Sequence, residues 1–139
     1  MSLFRAVGDK LGTTWSLHSL GEAALAHGDF QEADAFFRDG LGLHRQTGNK
    51  HGAAECLDGV ARVAMITGEL GRAAHLLAAS AALREATGAP ADASHRSEAG
   101  RALSTVRAGL GDEMFASEWN EGKRMGLEQA IAYALEEPS

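Results

Sequence analysis

A forty-residue period is the feature of this sequence that most constrains its fold. Gly8, Gly48 and Gly88 are spaced by forty, as are Gly12 and Gly52, Leu17 and Leu57, and Ala24 and Ala64. Gly28 and Gly68, Ala33 and Ala73, Leu43 and Leu83, and Thr47 and Thr87 continue the series. These matches fall on chain breaks and on packing positions together. A fixed period in the range of about 20–50 residues marks an array whose units pack mainly on their neighbours.

The stretch from Leu17 to Phe37, LHSLGEAALAHGDFQEADAFF, defines one unit. Leu17, Leu20, Gly21 and Ala24 recur at three- and four-residue steps, the spacing of one helical face. Gly28 can take the left-handed conformation that ends a helix, and Asp29 can accept from free N–H groups of the next one. Glu32, three residues on, completes an acidic capping box. Ala33, Phe36 and Phe37 give the second helix its own buried stripe. Small residues at Gly21, Ala24 and Ala33 let two helix backbones approach closely, so Ala33 and Ala73 are expected where the helices of a hairpin touch.

These residues resemble the tetratricopeptide repeat (TPR). Leu17, Leu20-Gly21, Ala24, Gly28, Phe30, Ala33 and Phe37 fall at the motif's spacings, and Leu57, Val60-Ala61, Ala64, Gly68, Leu70, Ala73 and Leu77 follow in the second unit. The motif's closing proline is absent, with Arg45 and Glu85 in its place, and the period exceeds the usual ~34 residues. Longer helices account for both departures, because a proline would stop the second helix early. The resemblance implies an all-α, TPR-like α-solenoid of antiparallel helix hairpins with a C-terminal helical cap.

The chain divides accordingly. Residues 1–8 end a preceding repeat helix or are simply where the chain starts, since LFRAVG at 3–8 aligns with LHRQTG at 43–48 and LREATG at 83–88. Residues 9–48 and 49–88 are the two TPR-like repeats, and 89–139 hold a degenerate third repeat and the cap. Helices are predicted over Asp9–His27, Phe30–Thr47, Lys50–Thr67, Leu70–Thr87, Ala91–Gly109, Glu113–Glu121 and Leu127–Glu136, with breaks near Gly28, Gly48, Gly68, Gly88 and Gly111. In the cap, Met114, Phe115 and Trp119 supply one apolar face, and Leu127, Ile131, Ala134 and Leu135 the other. No polar unit precedes the first hairpin, so the chain is expected to be a piece of a longer array, or a short protein that covers its open edge by self-association.

Composition narrows the function. With 13 basic against 19 acidic residues the net charge is −6, and direct nucleic-acid contact, which wants a basic stripe, is not expected. The single Cys56 permits no disulfide framework and fits a reducing cytoplasm. No apolar run approaches the ~18 residues of a membrane span, and no signal peptide precedes the first helix.

The tail extends the resemblance: AAHLLAASAALREATGAP at 73–90 and LGDEMFASEWNEGKRMGLEQAIAYALEE at 110–137 resemble the C-terminal part of the TPR arrays in large bacterial signalling regulators related to the maltose-regulator type. The resemblance covers 9–137 and is most specific at Leu76-Leu77, Leu83-Arg84, Gly88 to Pro90, Trp119, Gly122 and Ala130 to Leu135. Such proteins join an ATPase domain to TPR repeats, and many add a LuxR-type DNA-binding domain or a cyclase. Neither the phosphate-binding GxxxxGK[ST] loop nor a DNA-reading head occurs in this chain.

No catalytic pattern is present either. The six histidines form no HExxH and no Cys/His quartet, and Ser80 and Ser104 lie in no GxSxG elbow. His18 and Glu22 are one turn apart, where a surface ion pair is expected rather than a metal. Cys56 is expected as a packed small hydrophobe. Hence no enzyme, cofactor or metal is predicted.

What remains is a surface. The resemblance places Trp15, His18, Glu22 and Leu25 from one unit, and Glu55, Asp58, Arg62 and Met65 from the next, on a concave face. Glu98, Arg101 and Thr105 continue the row. This row is either a groove for a peptide, partner domain or small effector, or a set of solvated charges with Trp15 and Leu25 packing on a neighbouring unit. The leading expectation is a non-catalytic interaction or sensor module within a larger cytoplasmic bacterial signalling or transcriptional regulator, whose partner is a protein, a peptide or the adjoining domains. The alternative is a free-standing homodimeric TPR adaptor or peptide-binding protein.

Leu3, Phe4, Val7, Leu11 and Trp15 would pack on a preceding unit in an intact array. Left in water they would form an apolar patch of the kind that marks an interface. The chain in isolation is therefore expected to form a two-fold homodimer through this edge, with little salt dependence. Sedimentation at micromolar concentration checks this: the parent should be dimeric, and Trp15→Ala and Phe4→Ser should shift it towards monomer. A monomeric parent, or a dimer indifferent to both changes, would rule the edge out.

Overall fold

Helix breaks set the plan of the molecule. In the computed structural model, which describes residues 16–88 and 93–136, Gly28, Gly48, Gly68, Gly88 and Gly111 all have positive φ, between 68° and 90°. Each follows a helix. The elements are α1 (described over 16–27), α2 (Phe30–Thr47), α3 (Lys50–Ile66), α4 (Leu70–Thr87), α5 (Ala93–Leu110), α6 (Asp112–Lys123) and α7 (Leu127–Ala134). The described residues are thus all-α, and among them there is no strand and no helix long and apolar enough to cross a membrane. The edge residues Leu3, Phe4, Val7, Leu11 and Trp15 lie outside the described residues.

The first three breaks share one device. After Gly28 the Asp29 N–H donates back to the Ala24 carbonyl at 2.9 Å, after Gly48 the Asn49 N–H donates to His44 at 3.1 Å, and after Gly68 the Glu69 N–H donates to Ala64 at 2.8 Å. These bonds satisfy end-of-helix carbonyls while the left-handed glycine turns the chain. The following helix starts differ. Asn49, in extended backbone, accepts from the Gly52 N–H through Oδ1 at 3.0 Å. Asp29 makes no side-chain cap, so the capping box expected from Asp29 and Glu32 does not form. At φ −88° and ψ 73° its backbone sits off the extended region, and its carbonyl alone starts α2 by accepting from Ala33 N–H at 2.9 Å.

Packing follows the small residues. Phe37 of α2 is fully buried between α1 and α3: a Cβ added to Gly21 would lie 2.6 Å from its ring, and one added to Gly59 equally close. Ala33 and Ala73 are both fully buried. Leu20 is 47% exposed and marks the outer edge of the α1 stripe. α4 buries an unbroken run from Ala73 to Ser80, because it meets α3, α5, α6 and α7 on different sides.

The C-terminal helices return onto the repeats. α6 lies along α4, where Gly122 meets the His75 carbonyl and Ala78 Cβ so closely that a Cβ has no room. α7 then crosses α2, α3 and α4, burying Ala130, Ile131 and Ala134 completely. Its C-terminal carbonyls receive the Arg72 guanidinium, which donates to Ala134 at 2.7 Å, a favourable charge at a helix C-terminus. Glu136, with φ 59°, is held beyond that end by Arg38 at 3.1 Å and Arg72 at 3.4 Å. Phe115 and Trp119 stack at 5.7 Å on the inner side of α6. Met114, expected with them, is 58% exposed, because a one-residue step turns it about 100° off their i, i+4 stripe.

Two helical glycines should respond to alanine with opposite sign. At Gly42 of α2 a Cβ meets nothing within 4 Å, so Gly42→Ala should stabilise by about 0.5–1 kcal/mol through helix propensity. At Gly122 the same gain is outweighed by backbone overlap with His75, and a net loss of about 1–3 kcal/mol is expected. Urea unfolding of both variants measures the two signs.

Candidate functional site

The row expected from the repeat is assembled mainly from α1 and α3. Glu22 and Arg62, forty residues apart, form a two-pronged pair, with Nη1 to Oε2 at 3.1 Å and Nη2 to Oε1 closer still. Equivalent positions of successive units therefore stand side by side. One turn away, His18 Nε2 is 3.6 Å from Glu22 and 4.0 Å from Glu55, and His51 Nε2 is 2.9 Å from the other oxygen of Glu55. The His18 ring meets the Phe37 ring edge-on at 5.9 Å, which roots the row in the core. Leu25 and Met65 are half-buried against the core.

Other members of the expected row go elsewhere. Asp58 is only 6% exposed and pairs with Arg84 of α4 at 2.7 Å, so it belongs to the α3–α4 contact and not to an open face. The same guanidinium donates to Ser80 Oγ at 2.7 Å, and Ser80 donates to the Ala54 carbonyl, which draws Asp58 inward. Arg101 is exposed on α5, where its carbonyl accepts from the Thr105 hydroxyl at 3.0 Å. Trp15 and the side chain of Glu98 lie outside the described residues.

Beneath the row, His44 is buried against Gly52. Burial first, then the nearby His18 and His51, lower its pKa against the opposing pull of Glu55, which favours the neutral ring. Cys56 packs its Sγ against Gly40, and burial, helped by the Glu55 and Asp58 carboxylates, pushes its thiol up to about 12. A thiol so protonated at neutral pH is a packing group rather than a nucleophile.

A second surface lies where α6 and α7 meet α2. An open groove of about 790 Å³ is lined by Arg45, Glu121, Arg124, Met125, Glu128 and Tyr133, among others. Arg45 faces Glu128 at 3.2 Å, and the Tyr133 ring stacks on His75 at 4.0 Å with the Arg72 guanidinium 5.5 Å from its centre. Burial raises the Tyr133 pKa, aided by Glu118, Glu121 and Glu69 against Arg72. Periodicity points to none of these residues, because the groove joins segments more than seventy positions apart. Arg45 and Glu85, forty residues apart, both tie down C-terminal helices, Arg45 through Glu128 and Glu85 through Lys123 at 2.6 Å.

The different burial of the two cross-helix pairs predicts different losses. Asp58→Ala strands a guanidinium whose side chain is 13% exposed and should destabilise by about 3–5 kcal/mol. Glu22→Ala breaks a pair exposed by 22% and 39% and should lose about 1 kcal/mol or less. Chemical denaturation of each variant, with Asp58→Ala/Arg84→Met recovering much of the larger loss, checks the assignment.

No protein-family model, curated protein or solved structure matches this chain.

Proposed function

We propose that this chain is a non-catalytic interaction or sensor module, a TPR-type segment of a larger cytoplasmic bacterial signalling or transcriptional regulator. The Glu22–Arg62 pair carries the reading. It joins positions one full period apart, as expected when the first helices of successive units stack in register and their faces merge into one surface. On that surface His18, His51, Glu22, Glu55 and Arg62 present donors and acceptors of both signs, flanked by Leu25 and Met65. A peptide or protein segment with its own mixed polar groups suits such a face, and a run of like charge does not.

A photo-crosslinking side chain placed at His51, which is 52% exposed, tests the proposal against the same group at Met114 on α6. A discrete crosslinked partner from position 51 and none from 114 is the expected result. Equal labelling from both positions, or none from 51, overturns it. The alternative, a free-standing homodimeric adaptor or peptide-binding protein, is favoured by the apolar residues Leu3, Phe4, Val7, Leu11 and Trp15. Genomic sequence upstream of the codon for Met1 separates the two: further repeats and an ATPase domain in frame support the regulator.

A further inference from the structure

The geometry points to a divalent transition-metal site, with Zn²⁺ as the best-fitting ion, held by His75 of α4 together with Glu118 and Glu121 of α6. His75 Nδ1 lies 3.2 Å from Glu118 Oε2 and 3.9 Å from Glu121 Oε2, and the three ligand atoms all fall within 4.8 Å of one another. Bonds of about 2.0–2.1 Å in a tetrahedral set place neighbouring ligand atoms roughly 3.4 Å apart, close to the two distances from His75 Nδ1, so rotation of the two glutamate side chains is enough to close the site. Glu118 and Glu121 are three residues apart and share one face of their helix.

The imidazole is prepared for this role. Its side chain is 7% exposed and stacks on Tyr133 at an interplanar angle of 14°, which fixes where Nδ1 points. Nε2 is buried and has no hydrogen-bond partner among the described residues, so the ring's polar interaction is directed through Nδ1.

Nδ1 can give one proton, yet two carboxylates converge on it, and among the described residues neither forms an ion pair with a lysine or arginine. A cation between the three groups would neutralise both acids and engage the three atoms that converge there. Glu118 and Glu121, with side chains 32% and 62% exposed, leave a path from solvent and room for water as fourth ligand. One imidazole with carboxylates and no thiolate suits Zn²⁺ better than the all-oxygen preference of Mg²⁺ or Ca²⁺. The bound ion would cross-link α4 to α6 beside the close contact at Gly122. No regular spacing announces such a site, since His75 is 43 residues from Glu118.

Titration of the chelator-treated chain with Zn²⁺ by calorimetry, and with Co²⁺ by visible absorption, is the test, with thermal unfolding followed in parallel. One equivalent of Zn²⁺, Co²⁺ bands of four-coordinate N/O type and a raised Tm are expected. Glu118→Gln/Glu121→Gln, which keeps the size of both side chains and removes only their charge, should abolish all three effects, whereas His51→Ala should leave them intact. A parent chain that binds no Zn²⁺ overturns the proposal. So does binding that survives the double substitution, which would mark adventitious surface binding, or binding lost in His51→Ala alone.

Discussion

The arrangement of the repeats depends on one close contact, the Phe37 ring held between Gly21 and Gly59. Burying such a side chain contributes about 1.5–3 kcal/mol, but its position matters more than its area. The ring fills the space between α1 and α3 only because neither neighbour carries a Cβ there. The second unit solves the same problem with different volumes: Ala61 stands where Gly21 does, Leu77 replaces Phe37, and both are buried. A larger side chain facing a smaller one keeps the volume of the contact nearly constant, the kind of exchange that packed interiors tolerate best.

Around that contact the central helices α3 and α4 are buried on several sides, and the C-terminal pair completes their enclosure. The holding force there is chiefly apolar. Ile131, Ala130 and Ala134 are fully removed from water, while the ion pairs at the rim, Arg45–Glu128 and Lys123–Glu85, each involve a well-exposed carboxylate. Exposed pairs of this kind contribute about 1 kcal/mol or less, so they align α6 and α7 more than they bind them. Arg72 differs, because it meets main-chain carbonyls at the end of α7 and one face of Tyr133 together.

Charge is therefore used in two ways. On the α1–α3 face, His18, Glu22, Glu55, His51 and Arg62 satisfy one another while staying partly in water, where a competing ligand can exchange those bonds at modest cost. In the α3–α4 contact, Asp58 and Arg84 are shielded, and removal of Asp58 leaves the Arg84 guanidinium without its carboxylate. The first arrangement suits recognition, and the second fixes the register of two helices.

Local chemistry made much of this legible in advance. The glycine at each break, the helix lengths between breaks and the buried stripe through Ala33, Phe37, Ala73 and Leu77 all depend on residues within a few turns of one another, so periodicity reports them directly. The sequence by itself thus determined the all-helical class and the helix breaks among the described residues. Only the tertiary structure decided that Asp58 turns inward to Arg84, that Asp29 leaves its cap unmade, that α7 crosses back over α2, and that His75 meets two glutamates of α6. Those outcomes rest on contacts between positions twenty-six to ninety-eight residues apart, or on small differences in ψ, and a periodic pattern carries no information about either.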